Sequence, residues 1–141
     1  MIRTRQWDKK ITLELDEGVH KVVGTWTAPW NVTYQRTLSI PCNNLSIVGK
    51  GQGETTVHGG LVAEDGRSLS IADLTVKNSC GPGLYAHEMG TKMDLHKVMI
   101  EECQYSGVNV GDGAEFRAWS ARQWIHDDRP SYQLHFSPQQ V

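Results

Sequence analysis

Apolar residues recur in a fixed pattern along the middle of the chain. Within one unit they stand at positions i, i+2, i+5 and i+7, as in residues 69–76, which read LSIADLTV. Side chains alternate between the two faces of a strand, so each i, i+2 pair predicts a short strand, and the longer step predicts a bend between two strands. A helix would place i and i+2 on opposite sides, so the pattern argues against a helix.

The same unit occurs several times along the chain. A step of 24 residues, from 69 to 93, superimposes two units without a gap and places Gly83 on Gly107. The coinciding apolar pairs are Leu69/Met93, Ile71/Leu95, Leu74/Val98, Val76/Ile100, Leu84/Val108 and Ala86/Val110. The same step leads back to Leu45 and Ile47, and a step of 21 leads forward from Leu95, Val98 and Ile100 to Phe116, Trp119 and Ala121. Four registers of one pattern indicate a repeat protein.

Each repeat predicts one coil of an all-β solenoid. A third strand, residues 84–86 or 108–110, follows a glycine-containing loop that allows a sharp turn. One coil cannot bury its inward face alone, whereas coils stacked at about 4.8 Å pair each strand with a parallel neighbour and enclose a continuous core. The sequence therefore predicts a parallel β-helix of about five to six coils with three short strands per coil.

The β-helix is expected to occupy most of the chain. We assign residues 1–124 to it, with 1–10 as an N-terminal cap and the clearest repeats from 45 onward, and 125–141 to an irregular C-terminal tail or cap. An uncovered solenoid end would expose unpaired strand backbone. Either the two terminal segments cover the ends, or the chain forms a homo-oligomer through them.

Two segments carry a resemblance to a known family. Residues 45–60 read LSIVGKGQGETTVHGG, and residues 17–23, which read EGVHKVV, precede them as a short strand. Both resemble the first coils of the pectin-lyase-like superfamily of right-handed parallel β-helices, and the resemblance extends over about residues 11–124. It implies a short right-handed β-helix. The superfamily contains lyases, hydrolases, esterases, epimerases, phage tailspikes and non-catalytic repeat proteins, so the resemblance leaves the activity open.

Composition excludes several classes of function. The 141 residues carry a net charge of −2, which argues against nucleic acid as a partner because that affinity depends on phosphate neutralisation. There is no apolar run long enough to span a membrane, and the first residues lack the apolar stretch of a secretory signal. We therefore expect no membrane partner and, unless the chain is a fragment of a longer secreted precursor, a cytoplasmic location. In that compartment the three cysteines are expected to be buried free thiols.

The third strand of each coil is the predicted binding face. Its outward positions are Val62, Tyr85 and Asn109, none of them charged. Together with incomplete catalytic motifs, this favours a non-catalytic binding or assembly module that presents a rigid surface to a glycan (polysaccharide) or protein partner, without a cofactor. The aromatic residues of the first section either stack on sugars, if exposed, or cap the start of the barrel, if buried; they are Trp7, Trp26, Trp30 and Tyr34.

The family resemblance implies a second hypothesis, a small polysaccharide-active enzyme. Pectate-lyase-like members use calcium held by acidic side chains and a basic residue that removes a proton. Acidic turns recur after the third strand, with Glu64 and Asp65 in one coil, His87 and Glu88 in the next and Asp112 in the one after, and the candidate bases are Lys77 and Lys92. Stacked coils would bring these acids to one edge, where they either bind calcium or remain ordinary solvated turn residues.

The resemblance favours glycoside hydrolysis less. Asn78, Ser79 and Cys80 stand where hydrolases of the superfamily have Asn-x-Asp, so the second carboxylate needed to cleave a glycosidic bond is missing. Glu101 and Glu102 lie too early relative to the next strand to replace it. A third hypothesis is that the chain is the N-terminal fragment of a longer carbohydrate-active enzyme whose site lies in other coils.

Overall fold

The computed structural model describes residues 10–78, 81–104, 107–111, 113–119 and 122–124. These residues form fourteen strands and no helix. The strands are β1 (Ile11–Glu14), β2 (Gly18–Lys21), β3 (Thr25–Thr27), β4 (Thr33–Gln35), β5 (Thr37–Ser39), β6 (Leu45–Val48), β7 (Thr55–His58), β8 (Gly60–Ala63), β9 (Ser68–Lys77), β10 (Leu84–His87), β11 (Lys92–Glu101), β12 (Val108–Gly111), β13 (Glu115–Trp119) and β14 (Arg122–Trp124). Because the described part contains no helix, none of it could cross a membrane as one.

The strands stack as a parallel β-solenoid, which confirms the predicted kind of fold. One sheet runs in the order β1-β6-β9-β11-β13, and β2, β7 and β14 pair beside this path. A second sheet runs β12-β10-β8-β5. Every pairing in these two sheets is parallel, as in β9 with β11 and β8 with β10. Consecutive coils therefore lie directly on one another.

The solenoid has about three turns, fewer than the five to six predicted. The prediction divided every residue from 11 onward into coils. In the structure β3 and β4 leave the solenoid as an antiparallel hairpin, with Trp26 opposite Tyr34. The chain after residue 124 lies outside the described residues, as do residues 1–9.

The strand pairings confirm the 24-residue repeat in the middle of the chain. Met93 pairs with Leu69, and Leu45 pairs with the same leucine on the other side. The predicted forward step of 21 residues is wrong, because Met93 pairs with Phe116 and so shifts the register by two residues. That step rests on matching apolar residue types, and it predicts Trp119 in the inward register. The backbone instead pairs Trp119 with His96.

The predicted bend between the first two strands lies inside single long strands. β9 and β11 each contain ten residues, and each has a residue with a left-handed backbone at the bend, Asp73 with φ 58° and Lys97 with φ 55°. In the preceding coil the corresponding position is Gly49, which follows Val48, the partner of Ala72. A Cβ on Gly49 would lie 2.5 Å from the carbonyl oxygen of Asp73, so only glycine fits between these coils.

Inward side chains form continuous ladders through the solenoid. One ladder passes from Leu13 through Ile47, Ile71 and Leu95 to Ala118. Ile71, Leu95 and Ala118 are fully buried, whereas Leu13, on the edge strand, is 47% exposed among the described residues. Stacking therefore buries the middle of the molecule and leaves its first coil half-covered.

A second, smaller apolar cluster lies outside the solenoid. Trp26 and Ala28 of the hairpin region pack on Val62 and Tyr85, whose side chains point outward from the second sheet. Tyr34 packs against the same cluster. The hairpin therefore covers part of the outer face of the second sheet and brings its aromatic residues onto that face.

Candidate functional site

The outward positions of the second sheet form a row across the coils. Ser39 pairs with Val62, Val62 with Tyr85, and Tyr85 with Asn109. The three predicted face residues thus share one register. Val62 is 0% and Tyr85 is 5% exposed, because the hairpin covers them, and only Asn109 is exposed. The predicted face is therefore not an open surface at Val62 and Tyr85, and the role of these residues in binding stays a prediction.

Four aromatic side chains form an aromatic patch over this row: Trp26, Trp30, Tyr34 and Tyr85. The Trp26 ring is 5.2 Å from that of Tyr85 and stacks on Tyr34 at 6.1 Å. Trp30 meets Trp26 edge-on at an interplanar angle of 87° and Tyr85 at 82°. Each ring is held by several others, so the patch is a rigid cluster.

Trp26 and Trp30 differ in burial, and this difference bears on the two predicted roles of the aromatic residues, covering the barrel or stacking on sugars. Trp26 is 6% exposed and covers the sheet, whereas Trp30 is 47% exposed. The Trp30 indole nitrogen donates a hydrogen bond to the Tyr34 hydroxyl at 3.0 Å. This bond fixes the orientation of the Trp30 indole ring, nearly half of which is exposed to solvent.

Beside the aromatic patch lies an acid–histidine cluster made of Glu64, His87 and Glu88. Ala63 pairs with Ala86, so Glu64 and His87 are the next positions on neighbouring coils. His87 Nε2 lies 2.7 Å from Glu64 Oε1 and 4.0 Å from Glu88 Oε1. One ligating atom from each of the three side chains lies within 4.8 Å of the others. The cluster offers one imidazole nitrogen and two carboxylates to a common point.

Hydrogen bonds hold the carboxylate of Glu64. Ser39 Oγ donates to Glu64 Oε2 at 2.5 Å, and the Trp26 indole nitrogen donates to the same oxygen at 3.3 Å. Burial raises the pKa of Glu64, but the hydrogen bonds from Ser39, His87 and Trp26 and the charge of His87 outweigh it, so the pKa lies below its usual 4.5. Glu64 is therefore ionised at neutral pH.

The cluster is partly shielded from water. The His87 side chain is 7% exposed and its ring lies 4.9 Å from that of Tyr85. The Glu64 side chain is 19% and the Glu88 side chain 44% exposed. Glu88 Oε1 accepts a hydrogen bond from the backbone nitrogen of Asp65 at 2.7 Å. Solvent therefore reaches the cluster from the side of Glu88.

The structure brings together only some of the predicted calcium ligands and bases. Asp65 contributes its backbone nitrogen to the cluster, while its carboxylate lies 3.6 Å from Arg67. Asp112 lies outside the described residues. Lys77 belongs to the first sheet, where its Nζ is 3.5 Å from Glu101. Lys92 is exposed at the start of β11.

Cys103 and a cavity on the first sheet are weaker candidates for a functional site. Burial raises the pKa of Cys103 to about 11, so its thiol is protonated at neutral pH and is a poor nucleophile. A cavity of about 460 Å³ on the first sheet is lined by Lys10, Ser70 and Asp94 among others, and none of the predicted site residues lines it.

The sequence predicts Glu64, His87 and Glu88 at one edge, but only the carboxylates as metal ligands. The signal was available, because His87 follows Glu64 by 23 residues, the step that the strand pairing gives between these coils. The hydrogen bond from Trp26 to Glu64 could not be predicted from the sequence, because the hairpin has no counterpart among the repeats. Comparison of the chain with protein-family models, curated proteins and solved structures gave no match.

Proposed function

We propose that this chain is a non-catalytic β-helix module of the pectin-lyase-like type that binds a glycan on its aromatic patch. The observation that carries the proposal is the half-exposed indole of Trp30, held in place by its neighbours. A rigid aromatic ring supplies a large contact area at low cost in conformational entropy. The apolar face of a sugar ring fits such a flat surface.

Polar groups next to the patch supply the second element of a glycan site. Sites for small ligands combine aromatic walls with a few fixed polar groups that set orientation. Asn109 is exposed one coil beyond Tyr85, and the acid–histidine cluster contacts Trp26 and Tyr85. The Asn109 amide can donate hydrogen bonds to sugar hydroxyls and accept hydrogen bonds from them, and the Glu88 carboxylate can accept them.

The alternative is a small polysaccharide lyase. The close approach of Glu64 and Glu88 favours it, since two carboxylates and a cation are the acidic half of such a site. Proton removal also requires a base at the same place. Lys77, one of the two candidate bases, forms ion pairs with Glu101 and Glu102 in the other sheet, which favours the binding module.

The proposal is tested by binding the purified chain to a panel of acidic and neutral polysaccharides. We expect retention of the chain by at least one glycan, without release of new reducing or unsaturated ends. Trp30→Ala should weaken that binding at least about tenfold, as expected for a central aromatic contact.

The matched control is Val23→Ala. Val23 is 86% exposed and lies before the hairpin, so its truncation removes exposed apolar area outside the aromatic patch. Equal loss of binding in Val23→Ala and Trp30→Ala, or no loss in Trp30→Ala, would contradict the proposal. Binding of the chain to a protein partner with an affinity that Trp30→Ala does not change would also contradict the proposal. Calcium-dependent cleavage of an acidic glycan would establish the lyase instead.

A further inference from the structure

We infer that Glu64, His87 and Glu88 form a binding site for a divalent transition-metal ion of the zinc class. Three observations carry this inference: the donor set, the contacts that hold the donors, and the local charge. The metal site shares Glu88 with the proposed glycan site, but the inference concerns binding of the metal ion alone and is tested without a glycan.

The donor set contains one imidazole and two carboxylates. Zinc binds histidine nitrogen and carboxylate oxygen at about 2.0–2.2 Å, so two ligating atoms around it stand roughly 3.3 Å apart. His87 Nε2 is 2.7 Å from Glu64 Oε1 and 4.0 Å from Glu88 Oε1. A small opening of the first pair and a small inward movement of the exposed Glu88 side chain produce the required spacing.

Two of the donors are themselves held by other groups, as metal ligands usually are. Ser39 Oγ and the Trp26 indole both donate to Glu64 Oε2, which leaves Oε1 directed at His87. The Asp65 backbone nitrogen anchors Glu88 through Oε1. The carboxylates therefore converge before any ion binds, and the cost of ordering them on binding is reduced.

The local charge also favours a cation. Within the described part of the chain, neither Glu64 nor Glu88 forms an ion pair with a lysine or arginine, and the ion pairs recorded for both involve His87. Arg67 lies nearby in sequence, but its guanidinium pairs with Asp65. Two carboxylates around a nearly buried imidazole leave negative charge in a place of reduced water access. A divalent ion neutralises it.

The nitrogen donor distinguishes transition metals from calcium. Calcium prefers six to eight oxygen ligands, whereas imidazole suits zinc, nickel, copper and iron. Three protein ligands leave at least one coordination position for water or another group, and the exposed side of Glu88 is where that position meets solvent. The chemistry therefore points to an accessible zinc-class site and away from the calcium site that the sequence suggested.

The experiment is titration of the full chain, freed of metal by a chelator, with Zn²⁺ followed by calorimetry and metal analysis. We expect a site whose affinity falls at least about tenfold in Glu88→Gln, since even indirect partners of metal ligands account for 10- to 100-fold. Glu88 is half-exposed, so this variant is expected to fold. Ser39→Ala should weaken zinc binding by about 10- to 100-fold through loss of the hydrogen bond to Glu64.

Two variants serve as matched controls. Glu115→Gln removes an exposed carboxylate, and His96→Gln an exposed imidazole, both on the first sheet. Both should bind zinc as the wild-type chain does. X-ray absorption of the zinc-loaded chain should show an imidazole ligand that is absent in His87→Gln and present in His96→Gln. This spectroscopic result separates loss of a ligand from general destabilisation.

The inference is overturned by absence of zinc binding to the wild-type chain, by equal affinity in Glu88→Gln, or by Ca²⁺ displacing Zn²⁺ at similar concentrations. Glycan retention measured separately, with a chelator present, distinguishes this failure from failure of the proposed function. Loss of zinc binding in Glu88→Gln, with zinc binding retained in Glu115→Gln and His96→Gln, supports the metal site.

Discussion

At the scale of single residues, Glu64 connects the two parts of the proposed surface. Its Oε2 accepts hydrogen bonds from Ser39 and from Trp26 of the aromatic patch, and its Oε1 contacts His87. The same side chain therefore fixes the hairpin against the second sheet and anchors the acid–histidine cluster.

The lowered pKa of Glu64 predicts how stability depends on pH. A carboxyl whose pKa is lower in the folded than in the unfolded chain stabilises the fold above the unfolded value, and this contribution is lost as pH falls through the folded value. For Glu64 the loss therefore occurs as pH falls below about 4.5. Urea unfolding at a series of pH values should show that Glu64→Gln is less stable than the wild-type chain at neutral pH, and that the difference shrinks under acid.

The same series is measured in Glu88→Gln as a control that keeps the Glu64–His87 contact. A difference between Glu64→Gln and wild type that stays constant from neutral to acid pH would show that ionisation of Glu64 does not contribute to stability.

At the scale of elements, the hairpin is the part of the fold that the sequence did not reveal. Periodicity predicted the ladders of β9 and β11 because apolar residues alternate at i, i+2, i+5 and i+7. β3 and β4 have no counterpart in other coils, and their register depends on packing of Trp26 against Val62 and Tyr85, which are distant in sequence. Local pattern cannot give a contact of that kind.

The error in the last repeat has a related cause. Phe116 and Ala118 occupy the inward register, and Trp119 pairs with the outward residue His96. A pattern of apolar residues treats any large apolar residue as a core residue. Assigning Trp119 to the core therefore shifts the predicted register of the last repeat by two positions. Pairing of backbone hydrogen bonds, rather than residue type, decided the true step.

Truncation of the two hairpin tryptophans tests the structural role of this element. Trp26→Ala should lower the free energy of unfolding by about 3 kcal/mol, because it removes a buried indole, whereas Trp30→Ala should cost about 1 kcal/mol or less. Urea denaturation followed by circular dichroism measures both. Equal costs for the two variants would mean that the hairpin does not use Trp26 as its anchor.

At the scale of the whole molecule, stability should vary along the solenoid axis. Repeat proteins are stabilised mainly by contacts between neighbouring coils, so an inner coil has two such contacts and an end coil has one. Leu13 and Leu95 belong to the same inward ladder, yet Leu13 is 47% exposed and Leu95 is 0% exposed.

This difference predicts unequal effects of the same substitution. Leu95→Ala should cost about 3 kcal/mol, within the range for buried leucines, and Leu13→Ala should cost less than about 1 kcal/mol. Urea unfolding of the two variants checks the prediction. A large cost at Leu13 would show instead that the first coil is covered in solution, by the chain's own terminal residues or by a second copy.

Glycan binding at the aromatic patch is tested most directly by titrating the ¹⁵N-labelled chain with the glycan that retains it and following the tryptophan indole N–H signals. Trp30→Phe assigns the Trp30 signal, and the other indoles serve as internal references. We predict that the signals of the Trp30 indole and the Asn109 amide shift most, while those of the backbone amides of β1 and β2 stay unchanged. Shifts confined to β1 and β2, with the Trp30 signal constant, would contradict binding at the aromatic patch.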